Sequence, residues 1–151
     1  MKVLFVCLGN ICRSPMAEGI LQHKIEEQSL DWKVDSAGTS GWHNGEKPDR
    51  RAIQTMKEHS IDIRSQRSRK FQGWDFENFD LIIPMDSSNY QDIVSLAKTD
   101  EEKSKVKLML NYSFPGKNMG VPDPYWNDDG FEQVYQLLDA ACDVLIEQEQ
   151  S

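Results

Sequence analysis

The sequence predicts an α/β domain built on a parallel sheet of four strands, and two observations carry that expectation. Short apolar runs alternate along the chain with longer segments whose apolar residues recur at helical spacing, as strands joined by helical crossovers do. The runs Val3–Val6 and Leu81–Ile83 are apolar without interruption, the pattern of strands covered on both faces. With 151 residues, 38% of them hydrophobic, the chain suits one domain over residues 1–151. A chain of this size can bury roughly 68–70% of its unfolded surface without disulfide staples.

The elements follow in order. Val3-Leu4-Phe5-Val6 is a buried strand, and a loop leads from it to Arg13. Ser14 reads as a helix N-cap and Pro15 as a proline at the first helical position. Met16, Ile20, Leu21 and Ile25 carry the apolar face of that helix toward Ser29. Trp32 to Ala37 alternates apolar and polar, as a half-covered strand does. Gly38 to Pro48 is a loop around Trp42, and Arg50 to His59 a helix with Ala52, Ile53 and Met56 inward. The stretch Ile61–Phe71 matches neither period. Leu81–Ile83 is the third strand, Ser87–Ala97 a helix, and Val106–Leu110 the fourth strand. A proline-containing loop, Asn111–Asp129, leads to the most regular helix of the chain. Its apolar side is Phe131, Val134, Tyr135, Leu138, Ala141, Cys142 and Leu145, with Asp128 and Asp129 as its caps.

Charge and cysteine usage exclude several classes of function. Seventeen basic against twenty-five acidic residues give a net charge of -8, which argues against nucleic acid as a partner bound through a broad basic face. An anionic substrate stays open, because the field inside a pocket can oppose the global charge. Three cysteines, Cys7, Cys12 and Cys142, form no disulfide framework and fit a reducing cytoplasm. The apolar run at the amino terminus is too short for a signal-peptide core, and the chain has no apolar stretch long enough to span a membrane. Arg64, Arg67, Arg69 and Lys70 read as a solvated basic face. His23, His43 and His59 lack the spacing of a metal site, and His23 and His59 read as surface or capping residues.

In open α/β sheets, ligands bind beyond the carboxyl ends of the strands. Two loops there carry unusual chemistry. The first is Cys7-Leu8-Gly9-Asn10-Ile11-Cys12-Arg13-Ser14. Its successive backbone N–H groups can form a nest for an anion, and the following helix adds the positive end of its dipole. Arg13 supplies a planar fork of donors matched to two phosphate oxygens. Gly9 and Asn10 tolerate the left-handed backbone such a loop needs. Cys7 stands in the same field, which favours the thiolate of a cysteine and hence a nucleophile, and the Ser14 hydroxyl can donate to its sulfur. Cys12 either fills the loop or forms a reversible disulfide with an oxidised Cys7. No Gly-Lys-Ser/Thr follows a glycine-rich turn, so this is not a nucleotide-binding loop, and neither a metal nor another cofactor is expected.

The second loop holds Asp123 between Pro122 and Pro124, with Tyr125 and Trp126 beside it. Fixed by the prolines in a partly apolar rim near a bound dianion, its carboxyl suits a general acid; it suits a plain turn aspartate as well. Trp42, Tyr125 and Trp126 lie outside the periodic core positions, so they either wall a pocket or cover a small satellite core.

Taken together, these residues resemble the low molecular weight protein tyrosine phosphatases over nearly the whole chain. Residues 6–18 are similar to that family's phosphate-binding loop, and Ser36 to His43 to its second segment. Asp80 to Asn89, with Met85-Asp86 and Ser88-Asn89, matches a third; Asp123 to Trp126 and Gly130 to Glu132 match the carboxyl-terminal set. The resemblance implies a four-stranded parallel sheet with helices on both faces, a flavodoxin-like three-layer sandwich, and an enzyme without metal or cofactor. It implies that Cys7 takes the phosphoryl group as a phosphocysteine and that Arg13 binds the phosphate within the loop Leu8–Ser14. Asp123 would protonate the leaving phenol and then activate water. Ser14 would support the sulfur, Asn10 would hold the loop's shape with Ser36, and Cys12 would be the redox partner of Cys7. Trp42, Tyr125 and Trp126 would line the substrate slot. The substrates implied are phosphotyrosine-containing proteins or small aryl phosphates, with inorganic phosphate as product. The chain departs from the family in three places: Trp126 follows Tyr125 where many members have a second tyrosine, Gln66 stands where a histidine is frequent, and Asn127-Asp128-Asp129 precede Gly130.

Two other functions share parts of this pattern. Arsenate reduction on the related scaffold needs relay cysteines, yet the segment after Met85 offers Asp86, Ser87 and Ser88, and Cys142 falls on the apolar face of the last helix. A phosphate- or phosphopeptide-binding module would share the anion nest, but binding alone does not require Cys7 to be paired with Asp123.

Overall fold

The computed structural model describes residues 1–150; residue 151 of the expected domain lies outside the described residues. Strand β1 (Lys2–Cys7) runs parallel between β2 (Lys33–Gly38) and β3 (Leu81–Pro84). Side-chain alternation sends Val3, Phe5 and Cys7 to one face and Leu4 and Val6 to the other. Both faces are buried, which is why β1 is apolar throughout.

The first face meets α1 (Arg13–Glu27), α2 (Arg50–Glu58) and α6 (Phe131–Gln150) through Met16, Ile20, Met56, Leu138 and Leu145. The second meets α3 (Asp75–Asn78) and α4 (Ser87–Leu96) through Phe76 and Ile93. Phe71 packs edge-on against Phe76 there, with ring centroids 5.3 Å apart. The remaining helix, α5 (Asp100–Ser104), buries no residue. Among the described residues no helix is long and apolar enough to cross a membrane.

The expected fourth strand is not formed, and the sheet has three strands in the order β2-β1-β3. Val106 makes one parallel bridge to Ile82: the Ile82 N–H donates to the Lys105 carbonyl at 2.9 Å and the Lys107 N–H to the Ile82 carbonyl at 3.0 Å. The next rung on that side needs an N–H from residue 84, which is a proline, so the ladder stops. The chain then winds into a 3₁₀ turn at Met109–Asn111. Val106, Leu108, Met109 and Leu110 are all buried, so their apolar run reported burial while the turn decided the backbone.

Three further expectations are corrected. Ser14 does not cap α1: the helix begins at Arg13, with Cys12 at the cap position and no side-chain bond there, and the Ser14 hydroxyl is spent on the site instead. Asp128 and Asp129 do not cap α6. The Asn127 side chain accepts from the Asp129 N–H at 3.0 Å, and Asp128 pairs with Arg51. The basic run is not one solvated face, because Arg69 forks onto the buried Asp75 at 3.0 and 3.1 Å and also meets Asp35.

The connections leaving β1 and β2 place their neighbours on opposite sides of β1. This switch in direction opens a crevice at the carboxyl end of β1.

Candidate active site

The loop after β1 lies in that crevice, and its backbone is fixed from outside. The Cys7 and Leu8 carbonyls accept from the N–H groups of Thr39 and Ser40, each at 2.9 Å. The Gly9 carbonyl accepts from the Ser68 hydroxyl at 3.0 Å, that of Ile11 from the Asp49 N–H at 2.7 Å, and that of Cys12 from the Met16 N–H at 3.1 Å. In a planar trans peptide the N–H points opposite to its carbonyl. Turning these carbonyls outward therefore turns the N–H groups of the following residues inward, as an anion nest requires.

Asn10 adopts φ 58°, the left-handed conformation, whereas Gly9 does not use it. The small size of Gly9 serves a different end: a Cβ there would lie 3.1 Å from the His43 ring. The Asn10 amide holds the loop internally, donating to Ser14 Oγ at 2.8 Å and Ser36 Oγ at 3.0 Å, while its Oδ1 accepts from the Arg69 N–H at 3.1 Å. Ser14 Oγ stands 3.0 Å from Cys7 Sγ. The Ser36 hydroxyl donates to Glu18 Oε1 at 2.6 Å. Burial pushes the Glu18 carboxyl up to about 7, against the pull of the Ser36 hydroxyl and Arg69. Gln66, at the position where a histidine is frequent, donates to the Pro15 carbonyl at 3.1 Å and so braces the first turn of α1.

Arg13 is 3% exposed. Its Nη1 donates to Asp86 Oδ2 at 2.8 Å and to the Val121 carbonyl at 3.0 Å, and its Nη2 lies 3.7 Å from Asp123 Oδ2. Burial opposes the guanidinium charge, but the interactions with Cys7, Asp86 and Asp123 outweigh it and push the arginine up. Burial likewise pushes the Cys12 thiol up, reinforced by Asp49, Cys7 and Asp123, so Cys12 stays protonated at neutral pH.

Cys7, Leu8, Gly9, Ile11, Cys12, Arg13 and Asp123 line one cleft of about 240 Å³, together with Trp42, Tyr125, Trp126 and His43. Trp42 and Trp126 are 78% and 86% exposed, so they form an open rim rather than a satellite core. The Asp123 carboxylate is oriented by the Tyr125 N–H, which donates to its Oδ1 at 3.1 Å. Asn10, Ser14 and Ser36 stand behind the loop. Cys142 is fully buried in the core beside α1 and plays no part in the cleft.

Sequence reasoning assigned no role to Asp86, His43, Glu18 or Arg51. For Asp86 a signal existed, because it follows β3 at the same carboxyl edge as the two chosen loops and caps α4 through the Asn89 N–H at 2.8 Å.

One glycine makes a local prediction. A Cβ on Gly38 would lie 2.7 Å from the Leu8 carbonyl oxygen and 3.2 Å from the Asn10 nitrogen, both backbone atoms of the loop. Gly38→Ala is expected to cost about 1–3 kcal/mol of stability and to weaken binding of inorganic phosphate, read by thermal unfolding and by inhibition constants.

The model of the family described as low molecular weight phosphotyrosine protein phosphatase matches residues 2–150. A low molecular weight phosphotyrosine protein phosphatase of Schizosaccharomyces pombe is 43% identical over 92% of this chain and 91% of its own. Among solved structures, a protein tyrosine phosphatase from Entamoeba histolytica superposes with a TM-score of 0.93 at 37% identity, covering 99% of this chain and 97% of its own. A Drosophila arginine phosphatase gives a TM-score of 0.93 at 36% identity, covering 100% and 99%. The match runs through every element that builds the crevice, and on it the chain belongs to the low molecular weight phosphotyrosine protein phosphatase family.

Proposed function

We propose that this chain hydrolyses phosphotyrosine, in proteins or in small aryl phosphates, by two in-line phosphoryl transfers in the cytoplasm. The observation that carries the reading is the convergence of the Cys7 sulfur, the Arg13 guanidinium and the Asp123 carboxylate on one cleft, at a loop whose carbonyls are bonded away from it.

In the first transfer, Cys7 Sγ attacks phosphorus and the bond from phosphorus to the phenolic oxygen breaks. Asp123 gives its proton to that oxygen, and the phenol leaves neutral. Arg13 and the loop N–H groups hold the equatorial oxygens throughout. In the second transfer, water attacks the phosphocysteine, Asp123 takes its proton, the S–P bond breaks, and inorganic phosphate and the Cys7 thiolate are released. Ser14 donates to the sulfur while it carries charge. Cys12, protonated in the same cleft, is the thiol with which an oxidised Cys7 sulfenic acid condenses to a disulfide with loss of water.

The walls favour an aromatic substrate. Leu8, Ile11, Trp42, Tyr125 and Trp126 match the faces of a phenyl ring. A phosphoguanidinium, the class named for the Drosophila neighbour, would bring N–H donors that lose their water against such walls. With EDTA present, kcat/KM on a phosphotyrosine peptide is expected to exceed that on phosphoarginine by about tenfold or more. The reverse order overturns the aryl assignment. Asp123→Asn is expected to lower kcat/KM on phenyl phosphate by about 10²–10⁴-fold and on p-nitrophenyl phosphate far less, since a good leaving group needs no proton.

A further inference from the structure

The segment that carries Asp123 is held by a residue that does not line the cleft. Arg51, the second residue of α2, is gripped by Asp49: its Nε and Nη2 donate to the two Asp49 carboxylate oxygens, each at 3.0 Å. Asp49 is itself tied to the phosphate loop, because its N–H donates to the Ile11 carbonyl at 2.7 Å. The other side of the same guanidinium faces the second loop. Its Nη2 donates to the Tyr125 carbonyl at 3.1 Å, its Nη1 pairs with Asp128, and its carbon lies 5.5 Å from the centre of the Tyr125 ring and 4.8 Å from that of Phe131. Tyr125 is the residue whose N–H orients the Asp123 carboxylate. One planar fork thus connects the backbone of the loop bearing Cys7 to the backbone that aims Asp123.

We propose that Arg51 is a positioning residue for the general acid, fixing the Tyr125 backbone so that the Asp123 carboxyl stays over the phosphate loop; this rests on the role of Asp123 given above. The Arg51 side chain is 27% exposed and Asp128 83%, and an ion pair so open to water adds little to stability. The Asp49 end is less open, at 14% exposure, so the comparison of leaving groups rather than a melting temperature reads the positioning role.

The test compares Arg51→Met, Asp123→Asn and the double variant, using kcat/KM on phenyl phosphate and on p-nitrophenyl phosphate. Arg51→Met is expected to lose about tenfold on phenyl phosphate and less than about threefold on p-nitrophenyl phosphate. In the Asp123→Asn background the same change is expected to have an effect within about twofold on either substrate, because the group it positions is gone. Arg51→Lys, which keeps the charge but cannot span Asp49 and the Tyr125 carbonyl, is expected to show the same selective loss, and it takes the place of Arg51→Met if that variant does not fold. Equal losses on the two substrates, a full additional loss in the Asp123→Asn background, or no loss at all would each overturn the positioning role. If Asp123→Asn alone shows no dependence on the leaving group, the general-acid reading fails first, and the single variant reveals this independently of Arg51.

Discussion

Cys7→Ser is expected to lower turnover of aryl phosphates by about 10⁴-fold or more. The exchange is nearly isosteric, and a hydroxyl can keep the contact that Cys7 Sγ makes with Ser14 Oγ at 3.0 Å. What it loses is the sulfur nucleophile, since an alcohol oxygen is far less nucleophilic toward phosphorus near neutral pH than a cysteine sulfur. The rest of the cradle is untouched, because the loop carbonyls are held by Thr39, Ser40, Ser68, Asp49 and Met16. Inorganic phosphate is therefore expected to bind the variant within a few-fold of the wild type, measured by calorimetric titration. This separation of binding from turnover distinguishes an enzyme from a phosphate-binding module: retained hydrolysis in Cys7→Ser would remove the thiol from the mechanism.

Arg13→Lys is expected to lower kcat by about 10³-fold with a smaller change in KM. A lysine keeps the positive charge but not the fork, and at this site the fork does two jobs. One arm is committed to Asp86 at 2.8 Å and to the Val121 carbonyl at 3.0 Å; the other points into the cleft, 3.7 Å from Asp123. An ammonium can serve one set of partners at a time. If it reaches for the phosphate, the part-buried Asp86 and the buried Val121 carbonyl lose their donor, at a cost of about 1–3 kcal/mol for the buried carbonyl. A lowered melting temperature is expected to accompany the kinetic loss, and a kcat within about fivefold of the wild type would exclude Arg13 from stabilising the transition state.

How much of this could be read from the residues depended on distance along the chain. The grouping of Cys7, Asn10, Arg13 and Ser14 was legible because it is local: they stand within one strand–loop–helix unit, where spacing alone implies a shared centre. Strand β1 was legible because burial on both faces leaves an unbroken apolar run. Asp123 was nominated by its prolines and its aromatic neighbours, but its meeting with Arg13 needed the fold. The Asp86 carboxylate lies 73 positions from the arginine it holds, and Arg51 lies 74 positions from the Tyr125 carbonyl it binds. No local pattern marks such pairs. The fourth strand failed for another reason: an apolar run states that a segment is buried, not which hydrogen bonds it makes, and Pro84 removed the rung that would have decided for a strand. Ser14 was misread as a cap because the same hydroxyl has two attractive uses, and the sulfur of Cys7 had the stronger claim.

The outward bonding of the loop carbonyls has a consequence for the end of the reaction cycle. A concavity whose backbone is already shaped by β2, by the segment around Ser68 and by α2 does not wait for a ligand to organise it. It cannot distinguish the phosphate it has just made from the one it is about to cleave. Both are tetrahedral dianions, and on the proposed reading only an aromatic ring held against Trp42, Tyr125 and Trp126 would separate them. Product is therefore expected to compete with substrate for the site. On that reading the exposed aromatic rim, rather than the loop, would set how far the enzyme works before its own product slows it.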